Sequence, residues 1–281
     1  MMIQSGPTGE PRFISLMAEH NELCEQFARA FGNARFEVPD PYEETIYVIG
    51  HHDRGWDEFD ASPVLDPITG FPAGVGGAKG AGGAATTKLS PDYNQAHHDY
   101  CGLLASMHTW GLYHARYGFS NFRVRQGGST SVPISPEMAE ETNAILFAEV
   151  ERQNALKEKI SANLETKNWV EEKNLYRNYK LLQFCDTLAL YFNLRHEDER
   201  AVEVFTHVPE NTTSETSVTI RPEGNNCYSL TPFPFKKNRL KVHSKGRYFT
   251  AMSLESAAMD LGAYIAELPI DEQVFTLVAN R

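Results

Sequence analysis

Basic residues are scarce and scattered in this chain: 26 Lys and Arg stand against 37 Asp and Glu over 281 residues, a net charge of −11. Phosphate backbones need a concentrated basic surface, so nucleic acid is not an expected partner. The densest basic run, Lys236, Lys237, Arg239 and Lys241, sits beside aromatics and reads as a solvated strand or hairpin edge. Long apolar runs are also missing; no stretch approaches the ~20 residues that cross a bilayer, and no membrane role is expected. The opening MMIQSGPTGEPRF lacks the basic region and apolar core of a signal peptide. Cysteine is sparse, with Cys24, Cys101, Cys185 and Cys227 far apart and no CxxC pair. Three of them fall in apolar helical patterns, where a reduced cysteine acts as a small hydrophobe. A reducing cytoplasm is the expected setting. The glycine run GVGGAKGAGGAATTK lacks the GxxxxGK[ST] spacing of a phosphate cradle. Residues 62 to 90, with glycines 74–83 at their centre, read as a long mobile loop or a lid.

What is present is an ordinary globular composition, 41% hydrophobic and 22% charged. Residues 13 to 31 carry apolar side chains at a helical period, stopped by Gly32-Asn33. EETIYVIGHHD reads as a short buried helix ended by Gly55, and DYCGLLASMHTWGLYHARYG as an apolar helix stopped by Gly118. Ser135-Pro136 opens a long amphipathic segment. EEKNLYRNYKLLQFCDTLALYFNL then forms a helix that is apolar almost all round near its end, hence buried. After His196 the texture changes to β-branched and aromatic alternation, and SLESAAMDLGAYIAEL supplies a last helix. The expected fold class is mainly α: one domain over 1–281, with a small antiparallel β meander appended at 200–252.

Polar residues intrude where these helices need apolar ones. His20 lies on the stripe of the first helix, His52 and Asp53 end the second, His108 lies in LLASMHTWGLY, and Asp186 lies in LLQFCDTLALYF. A buried carboxylate must neutralise, pair or bind a metal. Asp186 has Lys180, Arg177 or Arg54 as pairing alternatives, and any one histidine is explained by hydrogen bonding within a core. A divalent cation resolves the whole set at once, because neutral imidazole and ionised carboxylate are its natural ligands.

The order of these residues resembles the HD superfamily, an all-helical group of metal-dependent hydrolases with the motif H…HD…D. HHDRGWDEFD, LLASMHTWGLY, YKLLQFCDTLALYF and YSLTPFPF together resemble a bacterial family of unknown function within or near that superfamily. The resemblance implies an HD-type helical bundle in which His20, His52, Asp53 and Asp186 ligate a metal, with Asp53 bridging where two bind. Some HD proteins hold a second ion through two further histidines; His108 is the leading candidate here, and His97 or His98 the other. Residues 97 and 108 lie ~16 Å apart on a continuous helix, so both serve one centre only where the helix starts after His98.

The expected function is a metal-dependent phosphohydrolase of a small phosphorylated molecule, using one or two divalent ions among Fe, Mn, Co, Mg and Zn. Asp53 and Asp57 are the candidate catalytic carboxylates, and Arg54 and Trp56 the candidate substrate contacts. His51, Asp60 and His98 are candidates to brace the ligands, His51 being rotated ~100° off the buried side that His52 occupies. Two other readings stand beside it: a mixed-valent di-iron oxygenase of the HD type on the same ligands, and a non-catalytic sensor whose helical core holds a metabolite while the β meander and Gly-rich loop contact a partner. YSLTPFPFKKNRL reads as hairpin packing, with a cover for the site or an oligomer interface as alternatives.

Overall fold

The apolar run around Asp186 folds as the long helix α7 (Glu172–Leu194), and its neighbours explain why it is apolar on every side. One flank packs on helices α1 (Met17–Ala30), α2 (Tyr42–Ile49) and α5 (Asp99–Tyr113), the other on strand β3 (Glu203–Pro209). The computed structural model describes residues 1–75, 81–114, 134, 136–253 and 260–280. Helix α4 (Ala81–His97) packs against α5, and α6 (Ala139–Ser161) covers α5 and α4. Two short helices complete the set, α3 (Asp57–Ala61) and α8 (Leu261–Glu267).

The remaining strands are β1 (Met2–Ile3), β2 (Arg12–Ser15), β4 (Glu215–Gly224), β5 (Cys227–Thr231), β6 (Arg239–Phe249) and β7 (Asp271–Ala279). With β3 they form one seven-stranded sheet in the order β1-β2-β6-β7-β5-β4-β3. Its pairs are antiparallel except β5 with β7, which run parallel, and the sheet curls into a half-barrel. Helix α1 lies on β6 and α7 on β3.

This architecture corrects the expected fold class. About 49% of the chain is helical and 21% is strand, so the molecule is not an all-helical HD bundle with a small meander at 200–252. The sheet recruits the N-terminal residues 2–3 and 12–15 and the late strand 271–279. It is no appendage either, because it shares a core with the helices. Leu23 and Phe27 of α1, Leu188 and Phe192 of α7, and Val218, Ile220, Leu230, Val242, Phe275 and Leu277 of the strands are one buried cluster. Phe192 stacks on Phe275 with centroids 4.3 Å apart. Each such side chain contributes about 1.5–3 kcal/mol on burial, so the shared cluster stabilises both layers together.

Local chemistry sets the boundaries. The Glu19 carboxylate accepts from Leu16 N–H at 2.8 Å and from Arg247 at 2.7 Å, fixing the start of α1 to strand β6. Gly32 ends that helix at φ +115°, where a β-carbon would also meet Val38 at 2.6 Å. The expected glycine loop is shorter than 62–90: residues 76–80 and Ser135 lie outside the described residues, and the backbone is helical from Ala81, through Gly82 and Gly83. The FPF segment is packing, as Phe235 is buried with its ring 6.1 Å from Phe27. Among the described residues no helix is long and apolar enough to cross a membrane.

Candidate metal centre

Four helical elements deliver side chains to one point between the helices. Helix α1 brings His20 and Cys24, the turn after α2 brings His52 and Asp53, α5 brings His108, and α7 brings Asp186. His20 Nε2 lies 3.4 Å from Asp186 Oδ1, and His52 Nε2 lies 3.5 Å from Asp53 Oδ2 and 3.9 Å from Asp186 Oδ1. His108 Nε2 lies 3.7 Å from Asp53 Oδ1. The side chains of His20, His52, His108 and Asp186 are 0–4% exposed, while Asp53 reaches 14% and forms the rim.

The outer nitrogen of each imidazole is already engaged. His52 Nδ1 donates to the Ile49 carbonyl at 2.9 Å, which leaves the lone pair on Nε2. His20 Nδ1 donates to Asn193 Oδ1 at 2.9 Å, and Asn193 is held in turn by Ser244. His108 differs: the Gln183 amide nitrogen donates to its Nδ1 at 3.0 Å, which leaves the proton on Nε2, facing Asp53. Two imidazoles therefore present a lone pair to the centre, and the third presents an N–H.

His52 Nε2 is buried and has no hydrogen-bond partner. Leaving such an atom unsatisfied costs about 1–3 kcal/mol, and an ion would remove that cost. Tetrahedral zinc or iron with bonds of about 2.0–2.1 Å to nitrogen and oxygen requires ligand atoms roughly 3.4 Å apart, close to the separations here. His20, Cys24 and His52 form one group able to hold a metal ion; His52, Asp53 and His108 form another, in which His108 ligates only after its proton moves off Nε2.

The protonation states suit a cation. Burial drives the His52 imidazole down to about 4, so it is neutral at pH 7. Burial pushes the Asp53 carboxyl up, but His52 and His108 outweigh it and hold Asp53 at about 2, ionised. Burial first, then Asp186, pushes the Cys24 thiol well up.

Helix α4 clamps the turn that carries the dyad. Asn94 donates to the His51 carbonyl and Ser90 Oγ accepts from Gly55 N–H, each at 2.9 Å. His51 lies outside the cluster, stacked on Tyr47 with centroids 4.1 Å apart, and His97 stacks on the same ring at 3.5 Å. Helix α5 does begin after His98, but His98 caps it by accepting from Tyr100 N–H, so neither histidine joins His108. Arg54 pairs with Asp57 at 2.7 Å on the surface beside the dyad and lies over the Tyr93 ring. Partial burial raises Asp57. Trp56 packs edge-on against Phe59. Asp60 accepts from Met17 N–H at 2.5 Å, tying α3 to the start of α1 rather than bracing a cluster histidine. Lys180 binds Glu215 and Arg177 binds Glu37, so neither pairs with Asp186.

Sequence reasoning passed over Cys24, Asn193, Gln183, Ser90 and Asn94. Signals for the first three exist: Cys24 is four residues after His20, and Asn193 and Gln183 share the Asp186 helix at seven and three residues.

A family model described as a protein of unknown function, DUF3891, matches residues 8–251. No curated protein and no solved structure matches the chain.

Proposed function

The chain belongs to the DUF3891 family, which is described as of unknown function; from the site itself we propose that it is a metal-dependent hydrolase of a small phosphorylated molecule. The observation that carries this reading is the unsatisfied His52 Nε2 at the meeting point of His20, Asp186 and Asp53, buried except on the Asp53 side. The H…HD…D order of these residues supports an HD-like centre held within the helical layer. A divalent ion bound there would lower the pKa of a water and polarise a phosphoryl oxygen.

The protein's own groups supply the rest. Asp53, ionised and at the rim, would hold the ion together with His52 and orient a water by accepting a hydrogen bond from it. The Arg54 guanidinium offers forked donors to a phosphate that displaces Asp57 from it. His108, carrying its proton on Nε2, would offer a hydrogen bond to a substrate oxygen. Trp56 offers an apolar wall beside them. The di-iron oxygenase reading needs a sixth ligand, and His97 and His98 are engaged elsewhere. A metabolite sensor would need no orphaned ligand atom.

The test loads the protein with Mn²⁺, Fe²⁺, Co²⁺, Zn²⁺ or Mg²⁺ and measures phosphate release from esters, anhydrides and nucleotides. Release that disappears in His52→Ala and Asp53→Ala is the expected result. Metal-loaded protein inert across the whole panel would overturn the hydrolase, and oxygen uptake by anaerobically purified, iron-loaded protein would replace it with the oxygenase.

A further inference from the structure

We propose that Cys24 is a sulfur ligand of the ion held by His20 and His52, so that the centre selects a thiophilic divalent metal, zinc or iron(II), over magnesium or manganese. This rests on the metal-centre reading above and specifies its donor set.

Cys24 follows His20 by four residues on α1, the spacing that stacks two side chains on one helix face. Its Sγ lies 3.5 Å from His20 Nε2. Bonds of about 2.3 Å to sulfur and about 2.0–2.1 Å to nitrogen, at a tetrahedral angle, require a separation of roughly 3.6 Å. The ligand atoms of His20, Cys24 and His52 all lie within 4.8 Å of one another, and all three residues are buried. An independent observation points to the same spot: His52 Nε2, fully buried, has no hydrogen-bond partner. Asp186 Oδ1, 3.4 Å from His20 Nε2 and 3.9 Å from His52 Nε2, offers the fourth donor.

His52 has one lone pair to give, because Nδ1 is committed to the Ile49 carbonyl. The two metal-capable groups share His52, so one ion takes it at a time. The group with Cys24 is the fully buried one, and the group with Asp53 opens to the rim. Coordination breaks the S–H bond, sends the proton to solvent and forms a metal–thiolate bond, with no change of oxidation state. One thiolate and the Asp186 carboxylate neutralise a divalent charge, and a fifth position on the side of the Asp53 rim is left for the water of the proposed reaction. Thiolate is the soft donor of the set, and soft donors favour zinc and iron over the hard cations magnesium and manganese.

The test uses the full chain. Co²⁺-loaded protein is expected to show thiolate-to-cobalt charge-transfer absorption in the near ultraviolet. X-ray absorption of the zinc-loaded protein is expected to show one sulfur scatterer at about 2.3 Å. Cys24→Ser should abolish the charge-transfer band and weaken zinc binding by more than the roughly 10–100-fold that losing an outer partner of a ligand costs. Its affinity for Mn²⁺ should change far less. Stoichiometric Co²⁺ and Zn²⁺ bound with only nitrogen and oxygen scatterers would overturn the sulfur ligand and leave the metal centre standing. Failure of the wild-type protein to bind either ion would overturn both. The wild-type spectra decide the matter even where Cys24→Ser does not fold.

Discussion

At the helical centre His52, itself fully buried, faces Asp53 and Asp186, whereas where α7 meets β3 and β4, His207 faces Glu215 in partial contact with water. His207 Nδ1 lies 2.5 Å from Glu215, whose carboxylate also takes Lys180, and these side chains are 22%, 36% and 25% exposed. Glu215 is pushed up by partial burial but brought net down by Lys180 and His207. Every group there has its partner and some water. The central cluster has the same residue types, no lysine or arginine among the cluster contacts described, and one nitrogen with nothing to bond. Burial and the lack of a lysine or arginine among the described contacts, rather than the presence of histidine and carboxylate, make one arrangement a candidate metal centre and leave the other a surface ion pair.

The largest effect expected from breaking this contrast is loss of the ion itself. His52→Ala should reduce bound zinc from about one per chain to near none by elemental analysis, since removing a ligand abolishes the site. Glu215→Gln should leave the metal content unchanged. Metal retained by His52→Ala would mean that the ion sits elsewhere.

Next comes the pH response of the metal-free protein, measured by denaturant unfolding in chelator. Folded His52 titrates near 4 instead of about 6.5, so the unfolded chain binds a proton that the folded chain refuses. Stability should therefore fall by about 3 kcal/mol as pH drops from about 6.5 to 4. Asp53, held at about 2, stabilises the fold above its ordinary value of about 3.8, and that contribution is lost as pH falls from about 3.8 to 2. His52→Ala should flatten the upper limb, while Glu215→Gln should leave it in place.

A smaller effect is expected from the brace behind His20. Asn193→Ala frees the ring's outer nitrogen and should weaken zinc binding by roughly 10–100-fold in competition with a chromophoric chelator. An unchanged affinity would show that packing alone orients His20. The smallest effect belongs to the surface pair: Glu215→Gln should cost about 1 kcal/mol or less, and less still at high salt.

Much of the helical layer was legible because its period is 3.6 and its exceptions are polar. His20, His108 and Asp186 announced themselves as polar residues on apolar stripes, and Thr45, Val48 and Ile49 in phase placed His52 on the buried side. The sheet was not legible to the same degree. Strand β2 is four residues long, and its Phe13 fits the apolar period of the helix that follows. Strand β7 opens with Asp-Glu-Gln and buries only Phe275 and Leu277 fully, so its alternation is short. That such distant segments meet in one mixed sheet is a fact of long-range pairing, which local patterns do not carry. Glycine density misled as well: Gly82 and Gly83 each cost about 1 kcal/mol in a helix, and the α4 backbone is helical through both. The role of α4 as a clamp depends on Ser90 and Asn94, two residues with no motif of their own.

Strand β7 lies between β6 and β5, and this placement has a consequence for how the protein comes into being. On the ribosome, the helices carrying all the cluster residues are complete once Leu194 has emerged. Until residues 271–279 follow, the sheet exists as two unjoined parts, β1-β2-β6 and β5-β4-β3, each with a raw edge. Among the described strands β7 is the one that joins them, so the cluster residues are synthesised well before the sheet can close.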